Sequence, residues 1–235
     1  MTVVTLDGHI GSGAQEVGLR LAERLSADYY DRLLLLGVAR RIGATMSALE
    51  LKERQNPRIV QRMSASLMRA MEGMSLRAAE YDAELFELAQ STRTGRMKTT
   101  PEAVNDHELV KAYREELHEI ARRGSAVIVH RGGCAVLRDE PEALRVGLFA
   151  GWDERVRRIM RMDRIADWRR AERVLRCREE RQVQYFQVLG AHPHNLSMYD
   201  VVIDTGLLGI DASVDAVVRW IQFGDARDVK VEEVV

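Results

Sequence analysis

Apolar residues change their spacing along this chain, and each change marks an element. Thr2 to Leu6 is a short β-rich apolar run that reads as a buried strand. Three glycines follow within six residues, Gly8-His9-Ile10-Gly11-Ser12-Gly13. Val17, Leu21, Ala22 and Leu25 then recur at helical spacing. The chain therefore opens as strand, glycine loop, helix. Ala27 to Tyr30 predicts a second short strand, and Asp31 is placed to cap a helix running to Ile42.

Residues 44–123 read as mostly helical, without a convincing strand. Asn56-Pro57 is a helix-start pair, and apolar positions from Val60 to Leu88 recur every 3.5 residues on average. Thr92 to Thr100 reads as a loop, and Val104 to Arg123 as a helix ended by Gly124. Ala126–Val129, Leu144–Ala150 and Val201–Asp204 are three further strands. Helices are expected at Asp153–Met162, Asp167–Leu189 and Ile210–Phe223. Strands separated by helices predict an α/β/α sandwich around a parallel sheet of about five strands. In such sheets ligands bind beyond the carboxyl ends of the strands. The expected organisation is one domain over 1–235. It carries a helical insertion at 44–123, which would serve as the acceptor-binding region, a lid at 152–195 and a tail at 224–235.

Composition removes several function classes. With 35 Lys+Arg against 36 Asp+Glu, the chain has no global charge to recruit a polyanion. Two distant cysteines, Cys134 and Cys177, make no metal-ligand spacing or disulfide framework, and a reducing cytoplasm is the default. No apolar run reaches the roughly 18–20 residues of a membrane span, and the N-terminus lacks a signal-peptide pattern. The basic residues are lopsided: 31 are Arg and only four are Lys. Composition bias explains the total. It does not explain the gathering of 11 arginines and only 5 acidic residues between Arg155 and Arg181, a local balance of +6.

A strand, a glycine loop and a helix bind phosphate through backbone N–H groups. The full P-loop pattern is GxxxxGK[ST]. Gly8 and Gly13 supply its outer glycines, while Ala14 replaces the lysine and Gln15 the hydroxyl residue. Gly8, Gly11, Ser12, Gly13, Ala14 and Gln15 are thus candidates for holding a nucleotide's phosphates through the backbone. The alternative is a tight turn with no ligand.

The chain resembles the cytidylate-kinase-like branch of the P-loop nucleoside monophosphate kinases. The resemblance rests on GSGAQEVGLRLAERL, YYDRLLLLGVARR, VIVHRGGCAVL and DERVRRIMRMDRI…RCREERQVQYFQVL…YDVVIDTGLLGIDASVDAVV, in the family order over about half the chain. In that branch the P-loop commonly reads GSGGRE, without the lysine. This chain departs from it at Gln15, where Arg is usual, and at Gly132, where cytidylate kinases carry an acidic residue. The resemblance implies transfer of a phosphoryl group from ATP, with magnesium, to CMP or a related nucleoside monophosphate. It also implies that 152–195 is a lid supplying arginines.

Candidate roles follow. Asp31, Arg155 and Arg181 are candidates for catalysis, Arg158 for the donor phosphates and Asp204 for the adenine side. Arg131 and Arg178 are candidates for the acceptor. Each has a plainer alternative: Asp31 a helix cap, Arg131 a structural salt bridge, the lid arginines a solvated face with intrahelical ion pairs. Nucleic acid is an unlikely partner, because the interleaved aromatics Trp152, Trp168, Tyr185 and Phe186 suit a core. The Met63, Met68, Met71 and Met74 stripe offers either burial against neighbouring helices or a homodimer face within 57–90. The alternative to an enzyme is a non-catalytic nucleotide-binding or regulatory protein on the same fold.

Overall fold

The computed structural model describes residues 2–31, 33–55 and 98–224. The expected helices within 57–90, the loop at 92–97 and the tail from 225 lie outside the described residues, as does the homodimer face.

Five parallel strands form one sheet: β1 (Val3–Gly8), β2 (Asp28–Tyr30), β3 (Ala126–Val129), β4 (Ala143–Phe149) and β5 (Val201–Asp204). Their order is β2-β3-β1-β4-β5. Val3 to Leu6 pair with Ala126 to Val129 on one side, and Val3 to Gly8 with Ala143 to Leu148 on the other. The first strand of the chain is therefore the central strand of the sheet. This explains why it reads as an unbroken apolar run: residues on both of its faces are buried. The chain reverses its direction of travel across the sheet at β1, and the crevice beyond its carboxyl end is where such folds bind ligands.

Side chains alternate across β1. Val4 and Leu6 face α1 (Ala14–Leu25) and the last helix, packing with Val17, Leu21, Val214 and Val217. Val3 and its neighbours face the other layer, α2 (Leu33–Ile42), α3 (Met46–Gln55) and α4 (Asp106–Arg123), through Leu34, Leu35, Leu49, Leu109 and Leu117. Each such leucine, fully buried, contributes about 1.5–3 kcal/mol. Asn105 starts α4, its side chain accepting from the N–H groups of His107 and Glu108, and Gly124 ends it at φ 74°.

Three boundaries differ from expectation. A short helix, α5 (Gly133–Val136), follows β3 directly. The segment expected as a lid is a hairpin of α6 (Trp152–Asp163) and α7 (Trp168–Val188), the latter capped by the Asp167 side chain accepting from Arg170 N–H. The last helix, α8 (Thr205–Phe223), begins at Thr205 rather than Ile210. Asp204 caps this extra turn, and Gly209, at φ 77° and ψ 173°, breaks it from the main helix. A glycine one turn from a cap looks like loop sequence, so the turn is hidden from a periodicity reading.

Candidate functional site: a glycine cradle under an arginine hairpin

The glycine loop joins β1 to α1. Gly8, Gly11 and Gly13 all have positive φ, at 116°, 80° and 85°. A Cβ on Gly8 would lie 2.3 Å from the Leu148 carbonyl oxygen, and one on Gly13 would lie 2.6 Å from Ile210 Cδ1. The loop therefore requires glycine for both conformation and space.

Every carbonyl from Gly8 to Gly13 has a donor within the protein. Gln182 Nε2 donates to Gly8 O at 2.8 Å. Ser12 N–H donates to His9 O at 3.2 Å, and Val17 N–H to Gly13 O at 3.0 Å. Arg155 reaches Ile10 O at 3.4 Å and Arg158 reaches Gly11 O at 3.5 Å. The Thr205 hydroxyl donates to Ser12 O at 2.5 Å. The N–H groups of His9 and Ser12 are taken by Leu148 O and His9 O, whereas those of Ile10, Gly11, Gly13, Ala14 and Gln15 make no hydrogen bond with the described residues. No side chain caps the N-terminus of α1, so that helix end also presents unmatched donors. Such a nest suits an anion.

The hairpin is locked to this loop from above. Ile10 is buried in the apolar core of the hairpin, with Val156, Ile159, Ala171 and Leu175. Arg155 and Arg158 lie one step apart on α6, both buried. Arg155 pairs with Glu179 of α7. Arg158 donates to Glu154 Oε1 at 3.1 Å, to Thr205 Oγ1 at 2.8 Å and to Thr205 O at 2.9 Å. Arg178 pairs with Asp163 at 2.6 Å inside the hairpin. Arg181 is half-buried and makes no hydrogen bond or ion pair with the described residues.

Around the cradle, Gln15 Nε2 donates to Asp31 Oδ2 at 3.1 Å. The residue standing where a P-loop hydroxyl would be thus holds the candidate carboxylate at the end of β2. Asp7, next to last in β1, is fully buried, and burial pushes its carboxyl up against the opposing effects of His130 and of the Cys134 N–H, which donates to it at 3.1 Å. His9 is held below its usual pKa by burial and then by the Arg155 charge; its ring packs edge-on to Phe149 and His194.

The loop after β3 is the second half of the site. His130, Arg131 and Gly132 have φ of 62°, 63° and 65°, three consecutive left-handed residues of which two carry side chains. That conformation costs roughly 1–3 kcal/mol per non-glycine residue and needs outside restraint. Two of the restraints are His130 N–H donating to Leu6 O at 2.8 Å and the Tyr185 hydroxyl of α7 donating to Arg131 O at 2.8 Å. Asp204 caps α8, accepting from Gly206 and Leu207 N–H, and directly precedes Thr205, which bonds the cradle. Gln182 and Tyr185 lie within RCREERQVQYFQVL, one of the stretches that carry the family resemblance, but sequence reading gave neither a role in the site.

A central β1 flanked by β3 and β4, with a glycine cradle between β1 and α1, defines a P-loop kinase fold. The chain belongs to the cytidylate kinase-like family, whose model matches residues 3–207. It is 28% identical over 150 residues to a cytidylate kinase of Ignicoccus hospitalis, covering 63% of this chain and 86% of the relative. Among solved structures it is similar to an uncharacterized protein from Eubacterium ventriosum, with TM-score 0.60 and 15% identity over 94% of this chain and 99% of the other. A shikimate kinase from Acinetobacter baumannii in complex with shikimate superposes less closely, with TM-score 0.46 and 14% identity over 97% and 96% of the two chains. No helix among the described residues is long and apolar enough to cross a membrane.

Proposed function

We propose that this protein moves the γ-phosphoryl group of ATP to CMP or a related nucleoside monophosphate, releasing ADP and the diphosphate. The observation that carries the reading is the cradle whose six carbonyls are all held by the protein, leaving amides for phosphate. The amides of the loop and of Ala14 and Gln15 bind the donor phosphates in place of the missing lysine. Arg155 and Arg158, with their guanidinium groups already bonded to protein, fix the shape of that cradle. Arg181, half-buried with no partner among the described residues, is the cation placed to take charge as it builds on the transferring group. Arg131 binds the acceptor phosphate, and Arg178 supports that side from within the hairpin. Asp31, held by Gln15, orients the acceptor, whose phosphate attacks as the dianion and has no proton to give up. Magnesium arrives with ATP and keeps mostly phosphate and water ligands. Asp31 is the carboxylate here that would hold it, and it would neutralise phosphate charge. Asp204 lies on the adenine side.

A second reading has its own observation. Ala14 brings no charge, and the Gln15 amide is already bonded to Asp31, which suits a nucleotide-binding or regulatory protein without phosphoryl transfer. One experiment separates the two. The protein is incubated with ATP, magnesium and each monophosphate, and diphosphate is followed alongside thermal stability. Diphosphate formation supports the kinase. Nucleotide-induced stabilisation with no product supports the binding protein. No stabilisation by any nucleotide defeats both.

A further inference from the structure

Gln182 and Tyr185 lie three residues apart on α7, which puts them on one face of that helix. Both are buried. Gln182 holds the carbonyl of Gly8, where the cradle begins, and Tyr185 holds the carbonyl of Arg131. These carbonyls belong to loops leaving adjacent strands, β1 and β3, on the donor and acceptor sides of the site. The same helix also presses on both loops elsewhere. Glu179 anchors Arg155 against the cradle, and Leu189, just beyond the helix, would lie 2.3 Å from a Cβ on Gly132. One helix thus touches both loops, and it shares the restraint of the strained residues with β1, where Leu6 O accepts from His130 N–H at 2.8 Å.

We infer that Gln182 and Tyr185 are positioning residues that tie the phosphate cradle to the acceptor loop through α7. This rests on the nucleotide kinase reading above. A nucleotide settling in the cradle fixes Gly8 and with it Gln182. The helix then holds Tyr185, and the Arg131 loop adopts its binding shape before the acceptor arrives. Thermodynamic reciprocity requires the acceptor to favour the donor by the same factor.

The test uses the full chain with ADP and CMP as probes, by titration calorimetry. In the wild type, saturating CMP is expected to tighten ADP binding about five- to tenfold, and ADP to tighten CMP equally. Gln182→Met, isosteric but without the donor, and Tyr185→Phe, lacking only the hydroxyl, should each bring that factor to within about twofold of one. Each should weaken either ligand alone by no more than about threefold. The double variant should lose no more coupling than either single one, because both act on one path. Coupling retained in both single variants overturns the tie and leaves the kinase reading standing. Failure of the wild type to bind either probe overturns the kinase reading and the coupling with it. A ligand-free measurement is independent of both outcomes. In Gln182→Met, amide hydrogen exchange at His130 to Cys134 should accelerate about tenfold, although among the described residues the Gln182 side chain bonds only Gly8 O. Unchanged exchange there overturns the mechanical link itself.

Discussion

The arginines between Arg155 and Arg181 divide into an inner and an outer set, and the two sets have different physics. Arg155, Arg158 and Arg178 are inside, each against a carboxylate: Glu179, Glu154 and Asp163. Two of them also bind backbone carbonyls of the cradle. Arg157, Arg161, Arg164, Arg169, Arg170, Arg173 and Arg176 are exposed, Arg176 lying over the Trp152 ring at 4.5 Å. Arg157 and Arg161 share Glu154 with Arg158, at 3.4 Å each. Glu154, Asp163 and Glu179 pair with the inner arginines while Asp167 and Glu180 stay exposed, so the +6 seen in sequence is not one field poised over phosphate. The inner arginines are cemented into the loop that would bind it. Arg181 belongs to neither set: it is half-buried and makes no hydrogen bond or ion pair with the described residues.

The largest way to break this division is Arg158→Ala. It strips donors from Thr205 Oγ1, Thr205 O and Glu154 at once, in a buried place. We expect a loss of about 3–5 kcal/mol of stability, read by denaturant or thermal unfolding. Arg158→Lys should recover little of it, since one ammonium group cannot reproduce the planar fork. A loss under about 1 kcal/mol would put Arg158 with the outer set.

Arg181→Ala should behave in the opposite way. Its stability is expected to stay within about 0.5 kcal/mol of the wild type. Phosphoryl transfer should fall about 100-fold, equivalent to roughly 2.7 kcal/mol of transition-state stabilisation. Turnover that survives while stability falls would move Arg181 to the architectural set, and the assay of diphosphate product decides between them.

Much of the fold was legible because it rests on local pattern. Unbroken apolar runs marked the strands, the switch to helical spacing after Gly13 marked α1, and Asn105 and Gly124 bracket α4 where the sequence places a helix. The cradle was legible in its glycines. Its support was not, because the donors are polar side chains remote in sequence from the carbonyls they hold. Gln182 acts on Gly8 across 174 residues, and Thr205 on Ser12 across 193. A glutamine in a charged helix and a threonine after a strand carry no periodic signal of such partners. Spacing alone placed Arg155 and Arg158 on a common face, but whether that face met phosphate or backbone depended on how α6 docks. The insertion of Ile10 into the hairpin core decides the docking.

The smallest expected effect tests whether the inner arginines reach beyond their own partners. His9 is partly buried in the cradle, with Arg155, Glu179 and His194 around it and the Ala150 carbonyl at 3.3 Å from its Nδ1. Burial first, and the Arg155 charge second, hold its pKa below the usual histidine value. His194, which faces it, is lowered by burial and by His192 and Arg155 against the pull of Glu179. A histidine that binds its proton more weakly in the folded state contributes stability that is present above its unfolded pKa, about 6.5. That contribution is lost as pH falls through this value toward the lower folded one. Unfolding followed between pH 7.5 and 5.5 should therefore show falling stability, with a smaller fall in His9→Gln. Solvent screening of a half-exposed ring keeps the difference modest. Imidazole titration by NMR sharpens the point, since His9 should titrate below the unfolded value and move back toward it in Arg155→Gln. Titration of His9 at its ordinary value in the wild type would confine the influence of Arg155 to Glu179 and the Ile10 carbonyl.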